Sequence, residues 1–597
     1  MSPSLDYDLS QKNKKLLDFI EDVTSHAYEI QKKVLAEILS HNANVEYLQR
    51  HGLNGQTDSE TFKKLLPIIT YEDIHNEINR IANGDTSSIL TANPVSEFVS
   101  SSGTSGGERK LIPATEDDLA RRYFLFSLFM PIMNQFVPDL DKGKGMCLMF
   151  VRNEYKTPGG INATSALTIY YKSTHFKNRS MSYNPFTSPY ETVLCLDSYQ
   201  SMYSQLLCGL CQNNEVLRVG AVFATGLIHA IRFLEKNWSL LCDDIRTGTI
   251  NPLITDISVR EAVMKILKSD KNLADFIQSE CSKGSWQGII TRLWPNTKYV
   301  DVIVTGSMSQ HIPTLDYYSN GLPLVSTVYA SSECYCGVNL NPLCKPCDVS
   351  YTFIPSMCYY EFLPVNRSNN GSLHEKEKQE LVDLVDVKLD QEYELIVTTY
   401  AGLYRYNVGD VLKVTGFKNN APQFKFVCRK NVVLSVDTEK TDEVDLQNAI
   451  KNAITHLLPY DADVAEHTSY GDTRTIPGHY VLYWELNLKR STRIPDCVYE
   501  DCCLTIEESL SNYYRQSRVL EKSIGALEIK IVEQGTFEKL MDYAISLGTS
   551  INQYKTPRCV KSTAVVELLE SGVMAKYFSP KCPQWVPAHK EWINNKN

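Results

Sequence analysis

The stretch Ser101-Ser102-Gly103-Thr104-Ser105-Gly106-Gly107-Glu108-Arg109-Lys110 packs small hydroxyl residues and glycines into a turn that ends in cations. Glycines without a Cβ let successive N–H groups converge on one anion, and Ser102, Thr104 and Ser105 add hydroxyl donors. Lys110 could supply charge, so the turn suits a phosphate. It lacks the G-x-x-x-x-G-K-[ST] spacing of a Walker A loop, and by itself it is equally an ordinary surface turn. Two further stretches border predicted strands, where α/β sites are built. They are Tyr329-Ala330-Ser331-Ser332-Glu333 and Tyr404-Arg405-Tyr406-Asn407-Val408-Gly409-Asp410. A carboxylate after small residues, as at Glu333, can reach a Mg²⁺ held between phosphates; one after glycine, as at Asp410, can accept from both ribose hydroxyls. Each also has a plain reading, Glu333 as a solvated strand-end acid and Asp410 as half of a Gly-Asp turn. Their ordered coexistence points to ATP.

The elements that must position these stretches follow from periodicity. Leu16, Leu17, Phe19, Ile20 and Val23, then Ile30, Val34, Leu35, Ile38 and Leu39, recur at three and four, which predicts helices over the first ninety residues. Residues 94–107 read as extended chain followed by the turn. A helix over 116–130 puts Leu119, Tyr123, Phe126, Phe129 and Met130 on one face, with Arg121 and Arg122 near its start. Strands are predicted at 145–151, 299–305, 324–329 and 359–363, separated by helical stretches such as 201–210 and 220–240. That alternation argues for α/β layers. Residues 394–399 and 411–415 predict a strand pair around 400–409. The polar insertion 366–380 reads as an exposed loop. A charged run at 437–445 opens a new α+β pattern, which divides the chain into a large domain, 1–431, and a smaller one, 432–597.

Composition bounds the partners. A chain of 597 residues is too long for one core, and 43% apolar with 22% charged residues is ordinary for a globular protein. The net charge of −10, with no basic block interleaved with aromatics, argues against nucleic acid. No leader pattern and no long apolar stretch is visible, so a soluble, cytoplasmic protein without membrane association is expected. Seventeen scattered cysteines fit a reducing compartment better than a disulfide framework. Cys334 and Cys336, Cys344 and Cys347, and Cys502 and Cys503 lack a matching set for tetrahedral zinc. No heptad pattern calls for a second chain, so a monomer is expected.

Further motifs join the first three: YASSECYCGVNLNPLCKP from 329, AGLYRYNVGDV from 401, NNAPQFKFVCRKNVVLS from 419, PGHYVLYWE from 477 and INQYKTPRCVK from 551. With SSGTSGGERK from 101 they resemble, nearly end to end, the plant Gretchen Hagen family of acyl-acid amido synthetases. The likeness is strongest to members that conjugate indole-3-acetic acid to amino acids such as aspartate. It implies an α/β, acyl-adenylate-forming, firefly-luciferase-like fold. That fold has a large N-terminal domain of β-barrel and α-β-α subdomains and a smaller, mobile C-terminal α+β domain. The implied reaction has two steps: a carboxylate attacks the α-phosphate of Mg·ATP, and an amino acid then displaces AMP to form an amide. Such chemistry needs phosphate neutralisation and water exclusion rather than a covalent nucleophile.

By the same resemblance, Ser102, Thr104 and Ser105 cradle phosphate, Tyr329, Ala330, Ser331, Ser332 and Glu333 flank adenine and Mg²⁺, Asp410 holds the ribose, and Phe426 covers the adenine. Glu333 is the metal ligand. Arg122 lies near the acyl carboxylate, while Leu125, Ala166, Leu167, Val328, Ala330 and Tyr335 line the acyl slot. The amino acid meets Ser105, Thr164, Ser165, Asn552, Gln553, Tyr554 and Lys555, and Lys555 is the mobile cation of the small domain.

Four departures stand out from the family pattern. Asn407 occupies the place of a second arginine, Thr164-Ser165-Ala166 that of Arg-Pro-Val, Cys336 that of a phenylalanine, and Val328 that of a methionine. Smaller side chains imply a wider acyl pocket, and loss of the arginine implies weaker phosphate or domain-closure contacts. The expected function is ATP-dependent conjugation of indole-3-acetic acid to aspartate or glutamate in hormone homeostasis. Two alternatives remain: the same chemistry on benzoate, jasmonate or a specialised acid, and a weakly active protein that binds hormone or ATP.

Overall fold

Four parallel strands form the scaffold beneath the predicted nucleotide motifs, in the order Lys144–Leu148, Val216–Phe223, Tyr299–Ile303 and Leu324–Val325. The computed structural model describes residues 3–85, 87–105, 108–182, 186–365, 380–429, 434, 436, 441, 443–475, 477–488, 494–522, 524–551, 554–560 and 562–585. The Val216–Phe223 strand is almost continuously apolar, as a strand covered on both faces must be. Its neighbours approach closely at Gly220, where a Cβ would lie 2.2 Å from the Asp301 carbonyl oxygen. The predicted helix 220–240 therefore begins later, as Ala224–Thr247. An apolar run such as residues 220–223 fits either element, and the close approach to Asp301 decides for strand. Gly248, at φ +69°, ends the helix by donating its N–H to Asp244 O at 2.8 Å.

An eight-stranded sheet packs beside this layer. Its order is Val382–Asp383, Tyr359–Pro364, Glu392–Thr398, Tyr406–Lys418, Ala421–Arg429, Tyr351–Phe353, Tyr335–Val338 and Val328–Ala330. The predicted strand pair around 400–409 is present, with Glu394 opposite Val411. The single strand predicted over 324–329 is instead divided between two sheets. Ser326 makes the break: its hydroxyl donates to Val302 O at 3.1 Å and accepts from Val304 N at 3.0 Å, so the chain leaves the parallel layer there. Helix Ala27–His41 is pinned to the sheet by Gln31, which donates to Pro355 O and Cys358 O and accepts from Tyr360 N at 2.6 to 2.8 Å.

The hydroxyl-rich run forms a hairpin rather than a free turn. Strands Glu97–Ser105 and Glu108–Ala114 pair with Thr104 opposite Arg109, and the first strand also runs parallel to Asn162–Thr164. Residues 366–379 of the polar insertion lie outside the described residues.

The small domain is a four-stranded sheet, Ala462–Asp472, His479–Leu488, Glu528–Val532 and Val573–Phe578, with helices on both faces. Along its second strand Tyr480, Leu482 and Trp484 pack into one core while Val481 and Tyr483 pack into the other, the alternation of a sheet buried on both sides. The expected boundary between 431 and 432 lies outside the described residues, between a strand ending at Arg429 and a helix starting at Glu443. The small domain docks through Ile551, which is buried among the apolar residues of the parallel layer. All seventeen cysteines are free thiols. Among the described residues no helix is long and apolar enough to cross a membrane.

Candidate active site

At the carboxyl ends of the parallel strands, where α/β sheets open for ligands, lies a cavity of about 430 Å³. One wall is the sheet face that carries Cys147, Met149, Val222 and Ile303. Phe126, Phe129, Tyr170 and Tyr171 form the opposite wall, with Ala166 and Leu167 beside them. The slot is aromatic because helix Glu116–Ser127 and helix Ala166–Lys172 bring their rings together, Phe126 and Tyr170 at 4.3 Å between centroids. Val328, Ala330 and Tyr335 also face it, as the sequence implied.

The slot opens without interruption onto a polar end lined by Tyr329, Ser331, Ser332, Glu333, Asp410 and Lys555. Tyr329 donates to Asp410 Oδ2 at 2.6 Å, with its ring stacked on Phe353. Burial, reinforced by the Asp410 charge, pushes the Tyr329 hydroxyl well above its usual range, so it stays a donor. The second oxygen, Asp410 Oδ1, is buried without a hydrogen-bond partner among the described residues. The Arg429 guanidinium stands 3.7 Å from this oxygen, so its charge is balanced while its hydrogen-bonding capacity is open to a ligand donor. Phe426 packs over Gly306, whose φ of +62° and missing Cβ both matter, because a Cβ there would lie 2.9 Å from the ring.

Arg122 is placed differently from the sequence expectation. It is fully enclosed, donating from Nε to Asp118 Oδ2 at 2.8 Å, from Nη1 to Ser332 O at 2.8 Å and from Nη2 to Glu333 O at 3.0 Å. It therefore grips the turn that presents Glu333, and neither it nor Leu125 is among the residues lining the cavity. Leu125 belongs to the large apolar core. Ser331 closes the same turn, its N–H donating to Cys334 O at 2.9 Å.

Lys555 is accessible from the cavity and lies over the Phe223 ring at 4.7 Å. The surrounding protein lowers its ammonium pKa below the usual lysine value; the Asp410 charge opposes the shift and Arg429 adds to it. Tyr554 is buried beside it, and its carbonyl accepts from Thr225 Oγ1 at 3.1 Å. Asn552 and Gln553 lie outside the described residues, as do the side chains of Ser102, Thr104 and Ser105. Thr164 and Ser165 are committed locally: Thr164 accepts from Arg152 Nε at 3.4 Å, and Ser165 caps helix Ala166–Lys172. Lys110 stands 3.6 Å from Glu72, away from the cavity. No group of three or more His, Cys, Asp or Glu among the described residues is arranged to hold a metal ion. Magnesium held by one carboxylate and substrate phosphates needs no such cage, and Glu333 fits that pattern.

Residues 16–324 match the GH3 family N-terminal domain, 351–429 its central domain and 444–564 its C-terminal domain. The chain belongs to the GH3 family. It is 69% identical to the indole-3-acetic acid-amido synthetase GH3.6 of Arabidopsis thaliana, covering 99% of this chain and 98% of that one. It is 59% identical to the probable indole-3-acetic acid-amido synthetase GH3.1 of Oryza sativa subsp. japonica, over 97% and 95%. Among solved structures, the GH3.15 acyl acid amido synthetase superposes with a TM-score of 0.88 at 46% identity, covering 96% of this chain and 98% of that one. By family and fold this GH3 chain is an acid–amino acid ligase.

Two of the four departures fall outside the GH3 cavity. Cys336 is buried in the core with its thiol directed to Cys334 O at 3.8 Å and is not among the residues lining the cavity. Asn407 donates to Glu394 Oε2 at 3.0 Å and accepts from Gly409 N at 2.8 Å, which turns it away from the phosphate end. Val328 and Ala166 do border the slot. Sequence reasoning missed Arg429, which stands opposite Asp410 across two strands, 3.7 Å from its carboxylate. Reflecting the chain through the Asn419-Asn420 turn would have found it. It also missed Arg218, Tyr299 and Asp301 at the deep end, since their meeting depends on parallel-strand register that nothing local encodes.

Proposed function

We propose that this chain conjugates indole-3-acetic acid to aspartate or glutamate through an acyl-adenylate formed from ATP. The carrying observation is one continuous cavity that joins an aromatic slot to the orphaned Asp410 oxygen and to Lys555. The family and the named activity of its relatives support the acid.

Asp410 accepts from the ribose hydroxyls, with Tyr329 holding its other oxygen. Phe426 over Gly306 covers the adenine, and the hairpin bearing Ser102, Thr104 and Ser105 cradles the phosphates. Glu333, on the turn whose carbonyls Arg122 grips, would hold Mg²⁺, which would neutralise phosphate charge. Arg429 and Lys555 lower the remaining negative potential. The acid's carboxylate oxygen bonds to the α-phosphorus as the α–β phosphoanhydride bond breaks, and pyrophosphate leaves. The amine nitrogen then bonds to the acyl carbon, AMP departs with the C–O electrons, and the amine proton passes to solvent. The apolar slot keeps water from the anhydride. The small domain moves between the two steps so that Lys555 serves one half-reaction, and a cytoplasmic site of action fits seventeen free thiols.

A second reading keeps the chemistry and changes the acid to benzoate, jasmonate or a specialised carboxylate, on the ground that Val328 and Ala166 leave the slot roomy. Mass spectrometry of the products formed with Mg·ATP, indole-3-acetic acid and mixed amino acids tests both. An indole-acetyl aspartate or glutamate supports the first; AMP release with another acid alone supports the second.

A further inference from the structure

Lys555 lines the cavity next to Tyr554, whose carbonyl is held by Thr225 of the large domain, and a buried carboxylate ties down the segment that follows. Glu466, in strand Ala462–Asp472, accepts from Thr556 Oγ1 at 2.9 Å and from Arg558 Nη1 at 2.6 Å. Arg558 Nη1 also donates to His467 O at 2.7 Å, and the backbone N–H of Val560 donates to Ser469 O at 2.8 Å. The residues just after Lys555 are thus stitched to the small-domain sheet by backbone bonds to Ser469 and His467, and Glu466 is the carboxylate that holds the side chains of both Thr556 and Arg558.

That acid also meets the large domain. Glu466 Oε2 lies 3.7 Å from His311 Nε2. His311 ends the helical turn Gly306–His311, whose first residue lines the cavity beneath Phe426. Glu466, Thr556, Arg558 and His311 are all buried, at 4 to 9% exposure. Burial alone would raise the Glu466 pKa, but Arg558, His311 and His467 outweigh it and hold the carboxyl at about 2. On the other side of Lys555, the Thr225 hydroxyl holds the Tyr554 carbonyl. The lysine is therefore bracketed at 554 by a contact with the large domain and at 556 by one within the small domain, whose acid in turn meets His311.

We infer that Glu466 is a positioning residue: it couples docking of the small domain to the placement of Lys555, with His311 as the large-domain contact it reads. A carboxylate anchored to Arg558 within its own domain is rigid enough to transmit the contact, whereas a lysine on an unanchored loop would sample many positions. The inference rests on the proposed role of Lys555.

The test uses the full chain with three substitutions, His311→Ala, Glu466→Gln and Lys555→Ala, and two readouts. One is the turnover of amide formation beside pyrophosphate exchange into ATP. The other is the labelling of Lys555 by a water-soluble acylating reagent, read by peptide mass spectrometry. His311→Ala and Glu466→Gln are expected to lower the kcat of whichever half-reaction uses Lys555 by about 10- to 100-fold, since small misplacements carry such losses. KM for the acid is expected to stay within about twofold, because the slot is untouched. Lys555 labelling rises in both variants, and the double variant is no worse than the poorer single one. Unchanged labelling in His311→Ala overturns the inference even if Glu466→Gln fails to fold. Unchanged turnover in Lys555→Ala overturns the proposed role of the lysine, and the labelling still decides the coupling.

Discussion

The hydroxyl of Tyr329 donates to Asp410 Oδ2 at 2.6 Å, while Asp410 Oδ1 accepts no hydrogen bond among the described residues and faces Arg429 Nε at 3.7 Å, so one oxygen is held by the protein and the other is open to a ligand donor. Removing the tyrosine hydroxyl frees the carboxylate to rotate. Tyr329→Phe is expected to raise KM for ATP by about tenfold, near the cost of one charge-assisted hydrogen bond, with KM for the acid little changed. Initial rates across ATP concentrations check it.

Arg122 binds two carbonyls of the turn that carries Glu333, and Asp118 pairs with it in the core. Arg122→Ala leaves Asp118 buried without its cation and is expected to cost about 3–5 kcal/mol of stability. Arg122→Lys keeps the charge but cannot fork to both carbonyls. In that variant the Mg²⁺ concentration for half-maximal rate should rise, which a magnesium titration at saturating ATP reads; an unchanged titration would argue against the turn as its target.

Desolvation by the surrounding protein, at a side chain still accessible from the cavity, holds the Lys555 ammonium below the usual value of 10.5. The cation is therefore lost at a lower pH than in free lysine, and the alkaline limb of the rate profile falls correspondingly early. The unfolded chain binds this proton more tightly, so the lysine opposes folding at neutral pH and that opposition fades as pH rises. Lys555→Arg, which keeps its charge throughout, is expected to move the limb upward while lowering the maximum rate.

His467 is enclosed and its imidazole is held at about 3, first by burial and then by the Arg558 charge, against 6.5 when unperturbed. A depressed histidine lets the unfolded state take up the proton first, so stability falls as pH drops below 6.5 and levels off near 3. The slope from this residue is up to about 1.4 kcal/mol per pH unit. Thermal midpoints between pH 7 and 5 should show it, and His467→Gln should flatten that part of the curve.

Asn407 is paired with Glu394 outside the cavity. Asn407→Arg is accordingly expected to leave kcat/KM within about twofold of the parent, the scale of a substitution remote from the site. A rise in turnover would mean that the longer side chain reaches the phosphates.

Much of the site was legible because its parts are compact in sequence. Tyr329 to Glu333, Asp410, Phe426, Val328, Tyr335, Ala166, Leu167 and Lys555 all face the cavity. Position, not type, misled at Arg122: the Asp118 spacing of four residues on one helix already marked it as an ion pair. The division of residues 324–329 was hidden because Leu324, Val325, Thr327, Val328 and Tyr329 are all strand formers, and the two hydrogen bonds of Ser326 are tertiary. Helix 220–240 began late for a similar reason, since the fit of Gly220 against Asp301 belongs to a strand nearly eighty residues away.

The division at Ser326 has a consequence for how such an enzyme can change. Val328 borders the aromatic slot and Tyr329 steadies Asp410, yet they are neighbours on one three-residue strand at the edge of the eight-stranded sheet. A substitution that reshapes the acid pocket at 328 is therefore felt one peptide bond away, in the grip on the nucleotide. New acid preferences gained there carry an ATP penalty with them. Those gained at Ala166 lie on a separate helix, apart from the Tyr329–Asp410 pair.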